Sequence, residues 1–208
     1  MSDPADRKNR ATYQEVLDAP EHEVAEIVGG ELHLSPRPGA PHTAVASSVF
    51  GELQPPFGRG RGGPGGWLIL VEPELHLGED VLVPDLAAWR SERMSIVPDA
   101  AFFALPPDWV CEVLSSSTEQ FDRIDKLPAY ASAGVRFAWL VNPRRRMLEA
   151  YRLDADGRWT VVGLYKDADR ARIEPFDSIE LDLAVLWAES PLPTRAAEQP
   201  GHYDYDPW

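Results

Sequence analysis

Two acidic residues lie in stretches of sequence where a carboxylate is costly to bury. Glu112 interrupts the apolar run WVCEVL (109–114), which is typical of a strand buried on both faces. Asp85 follows the β-like run VLVP (81–84). A buried carboxylate needs a partner, and a divalent cation between two of them relieves both the burial cost and their repulsion. Mg²⁺ is the natural candidate, because it prefers one or two carboxylates, waters and phosphate oxygens.

A lysine in the next predicted element could supply a second cation. Asp122 and Tyr130 each lie four residues from Lys126, so the three side chains share one face of a helix. If that face turns toward the strand of Glu112, the lysine pairs with the carboxylates and stabilises negative charge on a phosphorane-like transition state. The alternative is an exposed Asp122–Lys126 ion pair within the helix. The spacing alone leaves both arrangements open.

The first part of the chain predicts a hairpin and then a helix. A short helix is expected at 12–17, and EVAEIVGGELHLSP (23–36) is typical of a β-hairpin that turns at its Gly-Gly pair. Apolar residues recur every four positions after Pro41 and predict an amphipathic helix that ends at Pro55. The glycine-rich run GRGRGGPGG (58–66) predicts a loop. A solvated connector is favoured there over a loop whose two arginines contact phosphate.

The remainder of the chain predicts a mixed sheet with one more helix. WLILVEPELHL (67–77) and VLVPDLAAWR (81–90) are expected to form an antiparallel pair, and the run around Glu112 a central strand. A helix is expected at 118–133, where Pro128 should kink it or delay its start. Three further strands are expected at VRFAWLVNP (135–143), RMLEAYRL (146–153) and RWTVVGLY (158–165). The predicted class is therefore α/β (α+β), a mixed central β-sheet flanked by helices.

Length and composition favour one domain at 1–189, followed by a tail at 190–208 that is rich in proline and has no periodicity. Cys111 is the single cysteine, which excludes an internal disulfide, and no stretch resembles a signal sequence or a membrane span. A cytoplasmic location is the resulting expectation. The formal net charge of -14 disfavours a general DNA binder, but metal ions can reverse the local sign of a site.

Several other chemistries lack their sequence signatures. The serines at 115–117 have no GxSxG elbow around them, and no histidine pair has the HExxH spacing of a zinc hydrolase. No phosphate-binding glycine motif follows a predicted strand. Cys111 points to the opposite strand face from its neighbour Glu112 and is expected to be a small core residue. Glu72 and Glu74 could add outer contacts to the metal, although Glu74 is expected to face solvent.

A family resemblance is carried by three stretches of the sequence. These are Pro84-Asp85, then PPDWVCEVLSSST (106–118), then DRIDKLPAYASAGVRFAWLVNP (122–143). In this order they resemble the Uma-type restriction endonucleases, a branch of the PD-(D/E)XK nuclease superfamily. EIVGGEL, which begins at Glu26, and the early His42 also stand where this family has them. The resemblance covers residues 23–186 and implies a restriction endonuclease-like fold.

The resemblance also implies a role for particular residues. Asp85 and Glu112 would be metal ligands for Mg²⁺, with Mn²⁺ able to substitute, and Lys126 the catalytic cation. Glu26 would complete the acidic catalytic cluster. The superfamily usually has its lysine two residues after the acidic one, where this chain has Leu114, so Lys126 must reach in from the helix.

Three further positions bear on the site. His42 is expected to contact substrate or a carboxylate, with a structural or capping role as the alternative, and Tyr130 is a candidate for substrate contact. Asn142 replaces an aspartate common in the family, but its place at a turn argues against a catalytic role.

Two functions remain open from the sequence. The first is a metal-dependent endonuclease that hydrolyses phosphodiester bonds of DNA, expected to act as a homodimer because restriction-like nucleases commonly pair to reach two strands. The second is a catalytically silent nuclease-like fold that serves as a binding or assembly module. The acidic net charge and the absent in-strand lysine favour the second, whereas the intact set of Asp85, Glu112 and Lys126 favours the first.

Overall fold

The computed structural model describes residues 10–187. The predicted tail at 190–208, and with it the predicted domain boundary at 189, lies outside the described residues. Within them, no helix is long and apolar enough to cross a membrane.

The chain begins with a short helix and the predicted hairpin. Helix α1 (Tyr13–Leu17) starts after Thr12, whose backbone N–H donates to Glu15 Oε2 at 2.7 Å. Strands β1 (Glu23–Val28) and β2 (Glu31–Pro36) pair antiparallel. Both glycines between the two strands have positive φ angles, 63° and 89°, which a glycine adopts without steric cost. The predicted hairpin is confirmed.

Together with β1 and β2, the other strands form three sheets. They are β3 (Trp67–Val71), β4 (Leu75–Leu77), β5 (Asp80–Leu82), β6 (Leu86–Arg90), β7 (Trp109–Val113), β8 (Phe137–Asn142), β9 (Met147–Leu153), β10 (Trp159–Lys166), β11 (Arg170–Ala171) and β12 (Leu181–Asp182). A large sheet has the order β10-β9-β8-β7-β6-β3, a small sheet has the order β2-β1-β5-β4, and β11 pairs with β12. In the large sheet β7 and β8 run parallel and the other neighbours antiparallel, so the prediction of a mixed sheet with a central strand at Glu112 is confirmed.

The antiparallel pair predicted at 67–77 and 81–90 is divided between two sheets. β3 pairs with β6 in the large sheet, whereas β4 pairs with β5 in the small one. The first crossing contains Glu72, which has a φ of 47°, and Pro73; the second contains Pro84. A proline has no N–H to donate to a ladder, so each strand is interrupted where its proline stands. The predicted antiparallel pairing of the two stretches is therefore present, but each stretch contributes one strand to each sheet.

Two helical segments pack against the large sheet. Helix α2 (Ala40–Leu53) continues into a π-helical turn (Gln54–Gly58) that contains the prolines expected to end it. The second segment comprises α3 (Glu119–Phe121), a π-helical turn (Asp122–Lys126) and α4 (Leu127–Ser132). Pro128 therefore does not delay the start of this helix, and the irregularity beside it is the wider π-helical turn that precedes it. A 3₁₀ turn (Leu183–Leu186) lies near the end of the described chain.

Side chains of β7 alternate between two core clusters. Trp109, Cys111 and Val113 pack in the cluster that includes α2. Val110 packs in the cluster on the other face, which includes Leu127 and other residues of α4. Glu112 shares the face of Val110 because side chains on a strand alternate. The register of β7 therefore directs a carboxylate toward the helix of Lys126, and places Cys111 in the core as predicted.

Candidate active site

A buried lysine is the centre of the acidic cluster. Lys126 Nζ lies 2.9 Å from Glu112 Oε1 and 2.9 Å from Glu26 Oε1, and it donates to the backbone oxygen of Val83 at 3.2 Å. All three charged side chains are almost completely excluded from solvent. Lys126 is the last residue of the π-helical turn, and from there its ammonium group contacts carboxylates of both the small and the large sheet. The alternative of an exposed Asp122–Lys126 pair was therefore wrong, and the arrangement in which the lysine faces the strand is correct.

Glu26 joins the small sheet to the lysine. It lies on β1, and its Oε1 also accepts a hydrogen bond from the backbone N–H of Val83 at 2.7 Å. Val83 immediately precedes the proline at which the chain leaves the small sheet. The crossing between sheets therefore presents one N–H to Glu26 and one carbonyl to Lys126.

Asp85 lies at the same crossing, just before β6. Its Oδ2 accepts a hydrogen bond from the backbone N–H of Val113 at 2.7 Å, which places it beside Glu112 on the neighbouring strand. Nε2 of His42, in the first turns of α2, lies 3.1 Å from the same Oδ2. The expected contact between His42 and a carboxylate is thus present. The other ring nitrogen of His42, Nδ1, is buried and has no hydrogen-bond partner in the described chain.

Two further polar side chains of the helical segment complete the cluster. Asp122 Oδ1 lies 3.9 Å from Lys126 Nζ. Tyr130 is completely buried and donates a 2.6 Å hydrogen bond to Glu112 Oε1. Direct substrate contact by Tyr130, expected from the sequence, is contradicted by this burial, because the hydroxyl is used to hold Glu112.

Burial and crowding shift the ionisation of these groups. Burial raises the pKa of Glu112 well above its ordinary value, and Lys126 offsets only part of that rise. Burial alone would lower the pKa of Lys126, but Glu112 and Glu26 outweigh it and hold the lysine protonated. Burial also raises the pKa of Asp122 from 3.8 to about 6. One ammonium group therefore faces more carboxylates than it can neutralise.

The cluster opens into a cavity of about 330 Å³. Eight of its lining residues are acidic: Glu21, Glu23, Glu26, Glu72, Glu74, Asp85, Glu112 and Asp122. Two carry a permanent positive charge, Lys126 and Arg37. Such a cavity attracts cations and repels a free phosphate group.

The donor atoms suit a hard cation such as Mg²⁺. Among residues 10–187, no group of three or more His, Cys, Asp or Glu side chains is arranged to hold a metal ion without help. Asp85 and Glu112 would thus supply two carboxylates and leave the other positions to water and substrate, which is how Mg²⁺ is commonly bound. Within the described chain, no hydrogen bond occupies Asp85 Oδ1 or Glu112 Oε2.

Some residues lie elsewhere than the sequence indicated. Glu74, expected to face solvent, accepts a hydrogen bond from Tyr13 and lies 2.7 Å from His76 Nε2.

The loop at 59–66 leads into β3 at Trp67, at the opposite end of that strand from the crossing. It is therefore remote from the cluster, which agrees with a connector.

Other residues of the site were not singled out in the sequence. Arg37 and Glu21 line the cavity, but both lie in short connections without a chemical motif. Asn142 accepts a hydrogen bond from the Arg145 backbone N–H at 3.0 Å, so it shapes a turn as expected.

Comparisons with known proteins agree with the resemblance seen in the sequence. A family model described as "Uma2: Putative restriction endonuclease" matches residues 11–185. A crystal structure described as a putative nuclease belonging to DUF820 from Anabaena variabilis ATCC 29413 is similar with a TM-score of 0.64 and 20% identity, covering 85% of this chain and 97% of that one. This likeness confirms the predicted fold class. No curated protein matches the chain.

Removal of the buried ammonium group should destabilise the fold. We expect Lys126→Met to lower the free energy of unfolding by about 3–5 kcal/mol at neutral pH, because Glu26 and Glu112 lose their shared partner. Lys166→Met is the control, since Lys166 is exposed at the end of β10, and it should change the value by less than about 0.5 kcal/mol. Urea denaturation measures both. Equal small losses in the two variants would contradict the assigned role of Lys126.

Asp122 should make stability depend on pH. Its pKa is raised from 3.8 to about 6 in the folded chain, so its contribution is fully present below about pH 4 and is lost as the pH rises toward 6. Over this interval the folded wild type keeps about one proton that the unfolded chain has already released. Asp122→Asn lacks that proton, so we expect its free energy of unfolding to fall less as the pH rises. Denaturation at several pH values in EDTA measures this slope. Asp125→Asn, in the same helical turn, is the control, and parallel curves for all three proteins would contradict the assignment.

Proposed function

The chain belongs to the Uma2 family, and on that premise we propose that it is a metal-dependent endonuclease that hydrolyses phosphodiester bonds of DNA. The observation that carries the proposal is the position of Lys126 Nζ, 2.9 Å from both Glu112 and Glu26 in a cavity that Asp85 also lines. Buried carboxylates around one lysine, beside a central strand of a mixed sheet, form a site for phosphoryl chemistry rather than a structural ion pair, since they line an open cavity.

Asp85 and Glu112 would hold Mg²⁺, and Mn²⁺ would substitute for it. When bound, such an ion activates water and neutralises charge on a phosphate group. The support is the excess of carboxylate over ammonium in the cluster and the carboxylate oxygens that lack hydrogen bonds within residues 10–187. The Val113 N–H and His42 fix Oδ2 of Asp85, while Tyr130 and Lys126 fix Oε1 of Glu112. Each carboxylate is thus oriented before substrate binds.

Lys126 and Glu26 would act as a pair. Lys126 holds its proton and presents a fixed positive charge beside Glu112, where negative charge develops on the phosphate oxygens during hydrolysis. Glu26 and the Val83 carbonyl keep the ammonium group in place from the side of the small sheet. This arrangement does without a lysine at position 114, because the π-helical turn brings Lys126 to the strand from outside.

A cleavage assay tests this function. We expect wild type to cut plasmid or single-stranded DNA with Mg²⁺ or Mn²⁺ and not with EDTA, and Glu112→Gln to lower the rate by about 10²-fold or more, because an oriented charge at the reacting phosphate is lost. Glu52→Gln, on the exposed side of α2, should cut like wild type. Circular dichroism checks that each variant folds.

Two outcomes would count against the proposal. Equal cleavage by Glu112→Gln and wild type would show that the cleavage does not depend on Glu112 and would contradict the proposed site. No cleavage by any sample, together with calorimetric metal binding that Glu112→Gln lacks, would favour a site that binds without turnover, which is the binding or assembly module.

A further inference from the structure

Arg37 is the one lining cation of the cavity that the carboxylate cluster does not use, among residues 10–187. Lys126, the other permanently charged cation, is buried and held by Glu26 and Glu112. Arg37 is exposed on the cavity wall, in the connection between β2 and α2. A molecule that enters the cavity can therefore reach Arg37 before it reaches the lysine.

The local structure holds the Arg37 guanidinium in place. Nε and Nη2 donate to the backbone oxygen of Glu21 at 3.3 Å and 3.0 Å. Pro36 and Pro38 flank the arginine, and each fixes its own φ angle, which restricts the connection. Nη1 makes no hydrogen bond within the described chain. The side chain is thus oriented by a neutral carbonyl and keeps donors available.

This arrangement differs from that of several other arginines in the fold. Arg93, Arg123, Arg152 and Arg170 each form an ion pair with an aspartate or a glutamate. Arg37 lines a cavity with eight acidic residues, yet no ion pair joins it to any of them in the described chain. Its positive charge remains available for an anionic ligand.

We propose that Arg37 binds a phosphate group of the nucleic-acid backbone and so holds the substrate against the carboxylate site. Acidic walls repel DNA, and a positive charge on the wall is needed to bring a backbone phosphate close to Asp85 and Glu112. The planar guanidinium matches phosphate with two parallel hydrogen bonds. The positive end of the α2 dipole adds to this attraction, since Pro38 and His42 at its start also line the cavity. This inference rests on the proposed nuclease function.

Fluorescence anisotropy with labelled duplex and single-stranded oligonucleotides tests the inference. Ca²⁺ replaces Mg²⁺, gels check that the DNA stays intact, and each titration is repeated at several salt concentrations. We expect Arg37→Ala to weaken binding about tenfold and to lower the slope of log K against log salt by about 1, because one phosphate contact is lost. Arg37→Lys keeps the charge and should recover part of the affinity. Arg61→Ala removes an exposed arginine from the remote loop and should leave both values unchanged.

The outcomes separate this inference from the proposed function. Equal binding by Arg37→Ala and Arg61→Ala, or no DNA binding by wild type, overturns the role of Arg37. If wild type still cuts DNA with Mg²⁺ but Arg37→Ala binds DNA as tightly as wild type, only the role of Arg37 is overturned. If binding depends on Arg37 but no sample cuts DNA with Mg²⁺ or Mn²⁺, the inference is supported and the proposed hydrolysis is overturned.

Discussion

The contact of one buried ammonium group with two buried glutamates is the interaction on which the site depends. Lys126 Nζ lies 2.9 Å from carboxylates that come from different sheets, Glu26 in the small sheet and Glu112 in the large one. Either carboxylate would be costly to bury without that charge. With Asp85 and Asp122 nearby, however, one ammonium group faces four carboxyl groups, and their crowding adds to burial in raising the pKa of Glu112. The same contact therefore stabilises the protein and leaves a site that attracts a further cation.

Irregular backbone places these groups. Asp85 and the Val83 carbonyl lie at the crossing between β5 and β6, where Pro84 cannot donate to either sheet. Lys126 ends a π-helical turn (Asp122–Lys126) inside an otherwise α-helical segment. Such turns cost stability and are frequent at functional sites. A regular strand through residue 85 and a regular helix through residue 126 would each change the direction of the side chain that the site needs.

Sequence patterns predicted the regular parts of the fold better than these irregular ones. The Gly-Gly hairpin, helix α2 and the strand of Glu112 follow from periodicity and turn residues, and all are present. The division of two strands between sheets does not follow, because a proline can end a strand, lie at its edge or mark a crossing. The sheet that accepts the continuing chain is decided by tertiary packing.

The site was predictable only in part for a similar reason. Glu112 and Asp85 are conspicuous as carboxylates in apolar surroundings, and that is a local property of the sequence. The place of Glu26 followed only from the family resemblance, since β1 meets the helical segment through the fold. Arg37 has no sequence signal, because its position on the cavity wall and its lack of an ion pair within the described chain are properties of the assembled structure.

The most direct test of the central claim is anomalous diffraction from crystals of the wild-type protein soaked in Mn²⁺. We expect a peak in the cavity, about 2.1 Å from carboxylate oxygens of both Asp85 and Glu112, with Lys126 still in contact with Glu26. A cavity without a peak at coordinating distance from these two residues, in crystals soaked at saturating Mn²⁺, would contradict a metal site there. The acidic cluster would then be a buried ion-pair network and not a metal site.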